Sequence, residues 1–594
     1  MKWTYTLLFL LLQLSAFSQT LVPSRSVDWT LAGLRDSTTI DFIEIDMLAQ
    51  GAIGDGVVPN DSILANVLNL LNDWNSVPGA ILNYQTGNYL FNKTINIPSN
   101  VIIKGQGADN TVFTMNLGGT SHSFRIQGSS ISSDTTSLIE SAAKDSSSII
   151  VSDPGSFSTG NWVQIVQQDS DLVTSSWAKN TVGQIIKIKN IFNNEIVLES
   201  PLRMNFDTTR SPYIVKIIPI ENVGIECLKI KRIDDTSPEQ SSNIDFTYAV
   251  NCWVNGIESE NCTFSHIQAT RSSNLYISKS YFHHAFGYGG GGRAYGVMLE
   301  STTNECLIEN NIFEHLRHSM IVQSGANGNV FAYNYSFDPY WDSNPNNAAG
   351  DMVLHGNYPY ANLFEQNICQ NIVIDDSHGP NGPYNTIFRN KAEGFGIFFS
   401  ASNSPNQNLL GNEIPNTSFP YSLVNYTIQG SGHFIYGNNN KGTIHPIGTY
   451  ALIDSSYAYM EKPDFIPMSQ WARIGTPNIM GTASIPAYYR YDSESIFSNT
   501  CGNPSLGIKE NFETKEKVVI FPNPVQSEMA IESSHFIKNL KVINSIGQEI
   551  HYQRNVGLSN IINTTSWENG VYLIVINFSN NKSSVERVVK TNSF

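Results

Sequence analysis

Histidine, arginine and tyrosine side chains gather in one stretch near the middle of the chain. Seven of the twelve histidines lie between His266 and His378, and Arg293, Tyr295 and Arg317 fall in the same stretch. A neutral imidazole accepts a proton near neutral pH, and a guanidinium can form two hydrogen bonds to a carboxylate. Removing the proton α to a sugar carboxylate requires that the developing negative charge be stabilised. These residue types therefore predict β-elimination from a uronic acid.

Aligning successive repeats of this stretch predicts that certain side chains lie above one another. The predicted rows are His266, His284 and His315 in one alignment, and Glu300, Gln323 and His355 in another. His318 precedes the second row by one turn, Arg293 occupies a related turn, and His378 comes from the following repeat.

These positions lead to predicted roles. We predict His315 or His355 as the base, His318 or Tyr295 as the acid, and Arg293 or Arg317 as the carboxylate clamp. The predicted substrate-binding residues are His284, Glu300, Gln323, Trp341, Tyr358 and His378. Among these, Trp341 and Tyr358 belong to stretches rich in asparagine and proline, where aromatic rings can support sugar rings.

Carboxylates offer competing chemistry in the same region. The candidates are Asp338, Asp342, Asp351, Asp375 and Asp376. Two carboxyl groups about 6.5 to 9.5 Å apart would act as an inverting glycoside hydrolase. Asp351 together with Asp375 or Asp376 could instead hold Ca²⁺. We predict no metal or other cofactor, with calcium as the alternative, and a non-catalytic glycan-binding surface protein as a third function.

The elements that position these residues recur every 18 to 33 residues between Ser259 and Asn412. Each repeat contains a short apolar run, an asparagine or other polar residue, and an aromatic. Segments 261–264, 279–282, 310–313 and 334–337 align without gaps, and Asn367, Asn390 and Asn412 continue the series. Such a period without helical spacing is typical of stacked β-coils. We expect each asparagine to adopt left-handed backbone angles and to bond its counterpart one coil away, with the aromatics stacked inside.

Composition excludes some functions and indicates export. A net charge of −16 argues against nucleic acid, whose binding needs clustered lysine and arginine, but it allows an acidic polysaccharide. Residues 1–18 have a lysine, a short apolar run and small residues at a cleavage position, as in a secretory signal. The six cysteines are scattered, so we predict buried core residues, with Cys252–Cys262 the best candidate for a disulfide.

The opening of the chain resembles a known family. Its segments are 51–56 (GAIGDG), a helical stretch at 61–75, 87–90 (GNYL) and 101–107 (VIIKGQG). They resemble the start of pectate-lyase-like right-handed parallel β-helix proteins, over about residues 40–500. The resemblance implies the fold but not the activity, because lyases, glycoside hydrolases, epimerases and phage tailspikes share it. The arginine-centred calcium motif of pectate lyases is not legible here, which argues against pectin as the substrate.

The end of the chain resembles a second family. Segments 521–525 (FPNPV), 546–548 (IGQ), 569–572 (NGVY) and 588–590 (VVK) are similar to the C-terminal sorting domain of the type IX secretion system of Bacteroidetes. This resemblance implies a small β-sandwich, the secretion machinery as a partner, and a location on the outer-membrane surface or outside the cell.

Together these features predict an all-β protein, a right-handed single-stranded parallel β-helix followed by a small β-sandwich. The predicted parts are a signal peptide at 1–18, the β-helix at 19–508, a linker at 509–517 and the sorting domain at 518–594. Within the β-helix they are the cap and first coils at 40–115, extra strands at 119–219, the main coils at 222–445 and a C-terminal cover at 446–508. We predict a monomeric carbon–oxygen lyase on an acidic polysaccharide or oligosaccharide. It would release either the next sugar or, from a terminal uronate, water.

Overall fold

The computed structural model divides the chain into two compact units, Met1–Gly502 and Asn503–Phe594. It describes residues 20–35, 42–73, 79–234, 240–423, 426–450, 452–466, 471, 474–493, 495–496, 501, 518–544, 548–578 and 583–591. The predicted signal peptide at 1–18 and the linker at 509–517 lie outside the described residues. Within the described ranges, no helix is long and apolar enough to cross a membrane.

The first unit is a parallel β-helix, so the predicted fold class is confirmed. In the described part of the chain, one sheet has twelve strands and a second has twenty, and nearly all of their pairings are parallel. The second sheet divides into two ladders, because most coils contribute one strand to each. Three ladders of stacked strands, called here the first, second and third ladders, therefore surround one apolar core.

The bounds of the strands follow the coils along the chain. The first ladder contains Phe42–Asp46, Gly79–Asn83, Val101–Lys104, Gly224–Glu226, Trp253–Asn255, Tyr276–Ser278, Leu307–Glu309, Val330–Ala332, Leu363–Glu365, Thr386–Phe388, Asn408–Leu410 and Phe434–Tyr436. The second ladder contains Asp55–Pro59, Gly87–Phe91, Thr111–Met115, Lys229–Arg232, Glu258–Glu260, Tyr281–His283, Ile312–Glu314, Tyr335–Phe337, Ile368–Ile374, Lys391–Phe399, Glu413–Ile414, Asn438–Asn440 and the antiparallel Thr443–His445. The third contains Ile95–Asn96, Phe124–Gln127, Ile244–Thr247, Ser265–Thr270, Tyr295–Glu300, His318–Val322, Met352–Leu354 and the later halves of Ile368–Ile374 and Lys391–Phe399. Ile220–Glu221 and Ala249–Val250 form a separate short pair.

One helix closes the first coil. Helix Asp61–Asp73 buries Leu64, Val67 and Leu68 in the core, and the Asp61 carboxylate accepts hydrogen bonds from the backbone of the neighbouring strand turn. The helix thereby covers core side chains that no preceding coil would shield. A second short helix, Pro486–Asp492, lies near the end of the unit. Short 3₁₀ turns occupy Pro23–Arg25, Trp29–Leu31, Ser176–Ala178, Thr208–Arg210, Asn346–Ala348 and Tyr421–Leu423.

Buried asparagines connect the coils at the turn between the first and second ladders. The row is Asn311, Asn334, Asn367, Asn390, Asn412 and Asn438. The backbone N–H and the side-chain amide of each residue donate to the Oδ1 of the next, at 2.8 to 3.2 Å. In a second row before the first ladder, the side-chain amides of Asn329, Asn362 and Asn385 donate to the side-chain oxygens of Asn362, Asn385 and Gln407 in turn. The predicted bonding from coil to coil is confirmed.

The prediction gave one asparagine both the left-handed backbone angles and the bond to the next coil, whereas in the structure two neighbouring residues have these roles. The left-handed residue is the one before each ladder asparagine, for example Tyr333 at φ 56° and Gln366 at φ 56°. Strand pairing places Tyr281 opposite Ile312 and Tyr335, so the predicted alignment of 334–337 was wrong by one residue. Segment 261–264 was also misaligned, because Glu258–Glu260 pairs with Tyr281–His283.

The error in the alignment also affects the aromatics that were predicted to stack inside the coils. Phe282 and Phe313 stack inside the core with ring centroids 5.3 Å apart, as predicted. Phe264 and Phe337 point outwards instead, and their rings pack on Tyr295 and Tyr491. Repeats of unequal length conceal such shifts, because a one-residue slip moves a side chain to the other face of a strand.

Within the predicted range 119–219, Phe124–Gln127 belongs to the third ladder, but the other strands do not extend the coils. They form a separate antiparallel sheet with its own buried core. In spatial order its strands are Ser148–Ile150, Glu195–Leu198, Gly183–Phe192, Trp162–Val166, Tyr213–Ile218 and Ser129–Ser137. This insert docks on later coils, where Arg203 forms a buried ion pair with Glu305 and Tyr360 donates to the carbonyl of Gly183 at 2.7 Å.

The segment predicted to cover the last coil runs back along the outside of the stack. Its contacts pair Ser456 with Glu365, Tyr459 with Glu309, and Arg490 with Asn310. It ends at Cys501, which forms a disulfide with Cys227, so the predicted Cys252–Cys262 bond is wrong. Cys252, Cys262, Cys306 and Cys369 are free and buried, as expected of core residues.

In its described residues, the second unit has five strands around its own buried core. They are Val518–Phe521, Glu528–Asn544, Glu549–Asn563, Gly570–Phe578 and Ser583–Lys590, and their pairings are antiparallel. Apolar side chains alternate along the central strands, which buries residues such as Leu540, Val542, Ile574 and Ile576.

Replacing Asn367 by alanine tests whether the asparagine row holds the stack together. The change leaves two buried donors of Asn334 without their acceptor and removes the side-chain donor to Asn390, so we expect a loss of about 3 kcal/mol in the free energy of unfolding. Urea unfolding followed by tryptophan fluorescence measures it. Asn69→Ala, on the exposed face of the cap helix, is the control and should change stability by less than about 0.5 kcal/mol. Equal midpoints for the two variants would contradict the role of the row.

Candidate functional site

The outer face of the third ladder carries a polar row above an apolar strip. Strand pairing stacks Glu300, Gln323 and His355 on consecutive coils, and the next position is Asp375. Two residues earlier in each strand, Met298, Ile321 and Val353 form a buried cluster with Phe264 and Tyr295. The strip anchors the strands, so the polar row above it has a fixed backbone support.

Tyr295, Arg317 and His318 meet at the start of these strands. Tyr295 and His318 are paired residues of adjacent strands, and their ring centroids lie 5.1 Å apart. The guanidinium of Arg317 lies 5.9 Å from the Tyr295 ring centroid and donates to the carbonyl of Gly289 at 3.0 Å. Its Nε is buried and has no hydrogen-bond partner among the described residues. A guanidinium charge therefore lies beside the phenol ring.

His355 adds a second imidazole, and hydrogen bonds fix its protonation. Its ring centroid lies 5.5 Å from that of His318 and 6.4 Å from that of Tyr295. The Gln323 amide donates to Glu300 at 2.8 Å, so its oxygen accepts from His355 Nδ1 at 2.9 Å. His355 Nε2 then carries a free lone pair. The same holds for His318, whose Nδ1 donates to the carbonyl of Gly350 at 2.9 Å.

Burial keeps both imidazoles neutral. Burial, followed by the neighbouring His355 ring and the Arg317 charge, lowers the pKa of His318 well below its usual value. Burial also lowers the pKa of His355 to about 4, although the Asp375 carboxylate opposes this shift. The His355 Nε2 to Asp375 Oδ2 distance is 3.7 Å, which is too long for a hydrogen bond. Burial raises the pKa of Tyr295, so its hydroxyl stays protonated at neutral pH.

The insert forms one wall of this group. The ring of His378 lies 4.9 Å from that of His355, and Trp177 of the insert lies 6.5 Å beyond it. Trp177 is 52 % exposed. We call the set Tyr295, Arg317, His318, His355, Asp375 and His378 the third-ladder site.

His284 and His315 belong to a different group, on the second ladder. Their rings stack 5.1 Å apart, and His315 continues the stack onto Tyr340 at 4.8 Å. His315 Nδ1 lies 2.7 Å from the carboxylate of the exposed Asp338. The predicted row with His266 was wrong, because His266 lies in the third ladder and is buried, with Nδ1 2.8 Å from the Ser259 hydroxyl.

Three other predicted residues make contacts of their own. Trp341 is bonded within its own loop through the carbonyl of Pro345, and Tyr358 packs under the insert. Arg293 lies against Gly287 in the glycine-rich loop. The predicted sugar platforms at Trp341 and Tyr358 stay predictions.

The aspartates considered for a hydrolase or a calcium site are engaged in hydrogen bonds with other residues. Asp351 is fully buried and accepts hydrogen bonds from Ser336, Gln370 and Asn371. Asp375 and Asp376 both accept from the Ser400 hydroxyl, at 3.2 and 2.7 Å. Within the described ranges, no three histidine, cysteine, aspartate or glutamate side chains are arranged to hold a metal ion.

Sequence reasoning missed two members of this surface. Asp375 was considered only as a hydrolase or calcium carboxylate, although its place after Ile374 in the ladder puts it next in the row after His355. Trp177 comes from the insert, and its sequence carries no signal of a contact with His378. Only extension of the row by one more coil would have identified Asp375.

Comparisons with known proteins identify the C-terminal unit. Residues 519–591 match the family model of the secretion system C-terminal sorting domain. No curated protein matches the chain significantly.

Solved structures resemble the chain only distantly. A tailspike of Acinetobacter baumannii bacteriophage AP22, in complex with a capsular saccharide, is 14% identical over 69% of this chain and 73% of its own, with a TM-score of 0.36. A Thermotoga maritima exopolygalacturonase is 12% identical over 69% and 94%, at 0.37. The Streptococcus pneumoniae adhesin PfbA is 9% identical over 67% and 92%, at 0.33. At these TM-scores they carry no argument about this chain.

Strand pairing identifies the first unit, and the family match identifies the second. The first unit is a parallel β-helix by its own strand pairing. The second carries a type IX secretion sorting domain, which directs the protein to the cell surface or the outside of a Bacteroidetes-type bacterium.

Proposed function

We propose that the protein is a secreted carbon–oxygen lyase that acts by β-elimination on a uronic-acid-containing polysaccharide or oligosaccharide. The observation that carries this proposal is the meeting of a neutral imidazole with a free Nε2, a protonated phenol and a guanidinium on one strand ladder. These groups correspond to the base, the acid and the carboxylate clamp that elimination needs.

In the proposed reaction Arg317 pairs with the uronate carboxylate. His355 Nε2 takes the proton from C5, and the electron pair left on carbon forms the C4–C5 double bond. The C4–O bond breaks, and the Tyr295 hydroxyl gives its proton to the departing oxygen. Asp375 faces the imidazolium that results, which favours its formation. His355 then loses a proton to water, and Tyr295 regains one.

Protonation states favour these assignments over the predicted alternatives. His318 is neutral and its only N–H is engaged by Gly350, so it has no proton to give and Tyr295 is the better acid. His315 lies on the second ladder, stacked between His284 and Tyr340, whereas His355 shares the face of Tyr295. Arg317 adjoins the phenol, and Arg293 lies on Gly287.

The departing oxygen defines two versions of the same chemistry. If it belongs to the next sugar, the protein is a polysaccharide lyase. If it is a hydroxyl of a terminal uronate, the protein is a dehydratase. Both reactions leave an unsaturated uronate, and no metal takes part in the proposed steps.

Incubation of the protein with a panel of uronate polymers and oligomers tests the reaction type. We expect the ultraviolet absorbance of a double bond conjugated to a carboxylate to rise, with and without a chelator. Product masses then distinguish chain cleavage from loss of water. New reducing ends without this absorbance would indicate a hydrolase instead, and binding without turnover would indicate a glycan-binding surface protein.

Matched histidine substitutions test the assignment of the base. We expect His355→Gln to lower kcat about 10²- to 10⁴-fold, because it removes general-base catalysis. His315→Gln, the same change on the second ladder, should leave kcat within about threefold, a difference of less than 1 kcal/mol in the barrier. Melting temperatures of both variants check folding. Loss of activity in His315→Gln alone would move the base to the second ladder.

The pH dependence follows from the lowered pKa of His355. The base works only unprotonated, so kcat/KM should rise as pH increases through about 4 and then stay level through neutrality. The raised pKa of Tyr295 keeps the acid protonated in that range. Because the Asp375 charge raises the pKa of His355, Asp375→Asn should move the acid limb to lower pH. Asp376→Asn is the control, and an unchanged limb in both variants would contradict the assignment.

A further inference from the structure

A second polar cleft lies on the same face of the third ladder, toward the start of the chain. It has a volume of about 360 Å³. Its lining residues are His122, Arg125, Gln127, Gln240, Asp245, Thr247, Gln268 and Thr270. Every lining side chain is polar, so water or a polar ligand fits the cleft and an apolar one does not.

The cleft presents hydrogen-bond donors to an anion. The lone pair of His122 Nδ1 is taken by the backbone N–H of Ser242 at 3.1 Å, so the proton of the neutral ring is on Nε2. Burial lowers the pKa of His122 to about 4, which keeps the ring neutral. Arg125 adds a guanidinium from the outward position of strand Phe124–Gln127. An N–H donor and a positive charge side by side are suited to a carboxylate or a sulfate.

A carboxylate already adjoins the arginine. Asp245 is the strand partner of Arg125 and is buried, with 6 % of its surface exposed. Its negative charge competes with an incoming anion for the guanidinium. Removing that charge should therefore strengthen anion binding, the opposite of what loss of a supporting contact would do.

Continuous contacts join the cleft to the third-ladder site. Arg125, Asp245, Gln268 and Met298 are successive strand partners, which places the cleft about three strand spacings, about 14 Å, from the level of Tyr295. The Gln268 amide donates to Glu300, which also accepts from Gln323.

One loop borders both places. Gln240 donates to the carbonyl of Gly291 at the cleft, and Arg317 donates to the carbonyl of Gly289 at the site. A chain lying along this face would pass beside the loop from the cleft to the site.

We infer that the cleft around Arg125 binds a second acidic group of the same glycan chain, several sugar units from the one that reacts. This inference rests on the proposed function and deepens it. A substrate that reaches both places is a polymer or a long oligomer, which favours chain cleavage over dehydration of a short terminal unit.

The test measures affinity against chain length in the full-length His355→Gln protein, so that turnover does not interfere. The probes are uronate disaccharides and hexasaccharides of the types that the wild-type protein converts, or the whole panel if it converts none. We expect the hexasaccharide to bind at least about tenfold more tightly. In the Arg125→Gln background this advantage should disappear, and in Asp245→Asn it should increase.

Lys231→Gln provides the matched control. It removes one positive charge from the second ladder, where the side chain is 43% exposed, and should preserve the length dependence. Sulfated and carboxylated hexasaccharides, compared directly, identify which anion the cleft prefers.

The outcomes separate this inference from the proposed function. If the length dependence survives Arg125→Gln, or if Asp245→Asn weakens binding, the inference fails whether or not elimination is observed. If the wild-type protein forms no unsaturated product but binds hexasaccharides through Arg125, the proposed function fails and the cleft stands. Absence of binding by every probe would overturn the cleft.

Discussion

The fold depends on hydrogen bonds to the polar groups of the turn that each coil buries. In the row from Asn311 to Asn438, one amide oxygen accepts both donors of the preceding asparagine, so each coil is bonded to the next at the same atom. Unpaired buried groups would be strongly destabilising. Any change of register would break the row, and the alignment of side chains on all three ladders follows from it.

Register also explains why two groups of histidines on adjacent ladders have such different properties. On the second ladder, His315 is half-buried beside the exposed Asp338 carboxylate. On the third, His318 and His355 are almost fully buried, near Arg317, and lose their basicity. The ring is the same in both groups, so position around one corner of the coil decides how deeply each imidazole is buried, and deep burial lowers the pKa of His318 and His355.

The sequence predicted the parts of this arrangement that repeat in strands. The apolar alternation of 297–300, 320–323 and 352–355 gave the row Glu300, Gln323 and His355, because side chains two residues apart share a face. The alignment of repeats failed at the turns, because their lengths vary. It therefore placed His266 in the wrong row. The Cys227–Cys501 disulfide, separated by 274 residues, and the approach of Trp177 to His378 depend on where distant segments pack. Neither leaves a local pattern.

The insert has a consequence for the rate of folding. Coils can stack one upon the next with mainly neighbouring contacts, as in other repeat proteins. The insert instead bonds to residues far along the chain, with Gln164 joined to Thr302 across 138 residues, Gly183 to Tyr360 across 177 and Thr174 to Asn357 across 183. Contacts between residues so far apart in the sequence form slowly, because the intervening chain must be ordered first. The row on the third ladder can therefore be native while its wall is still missing, and the late step in folding is the one that encloses the site.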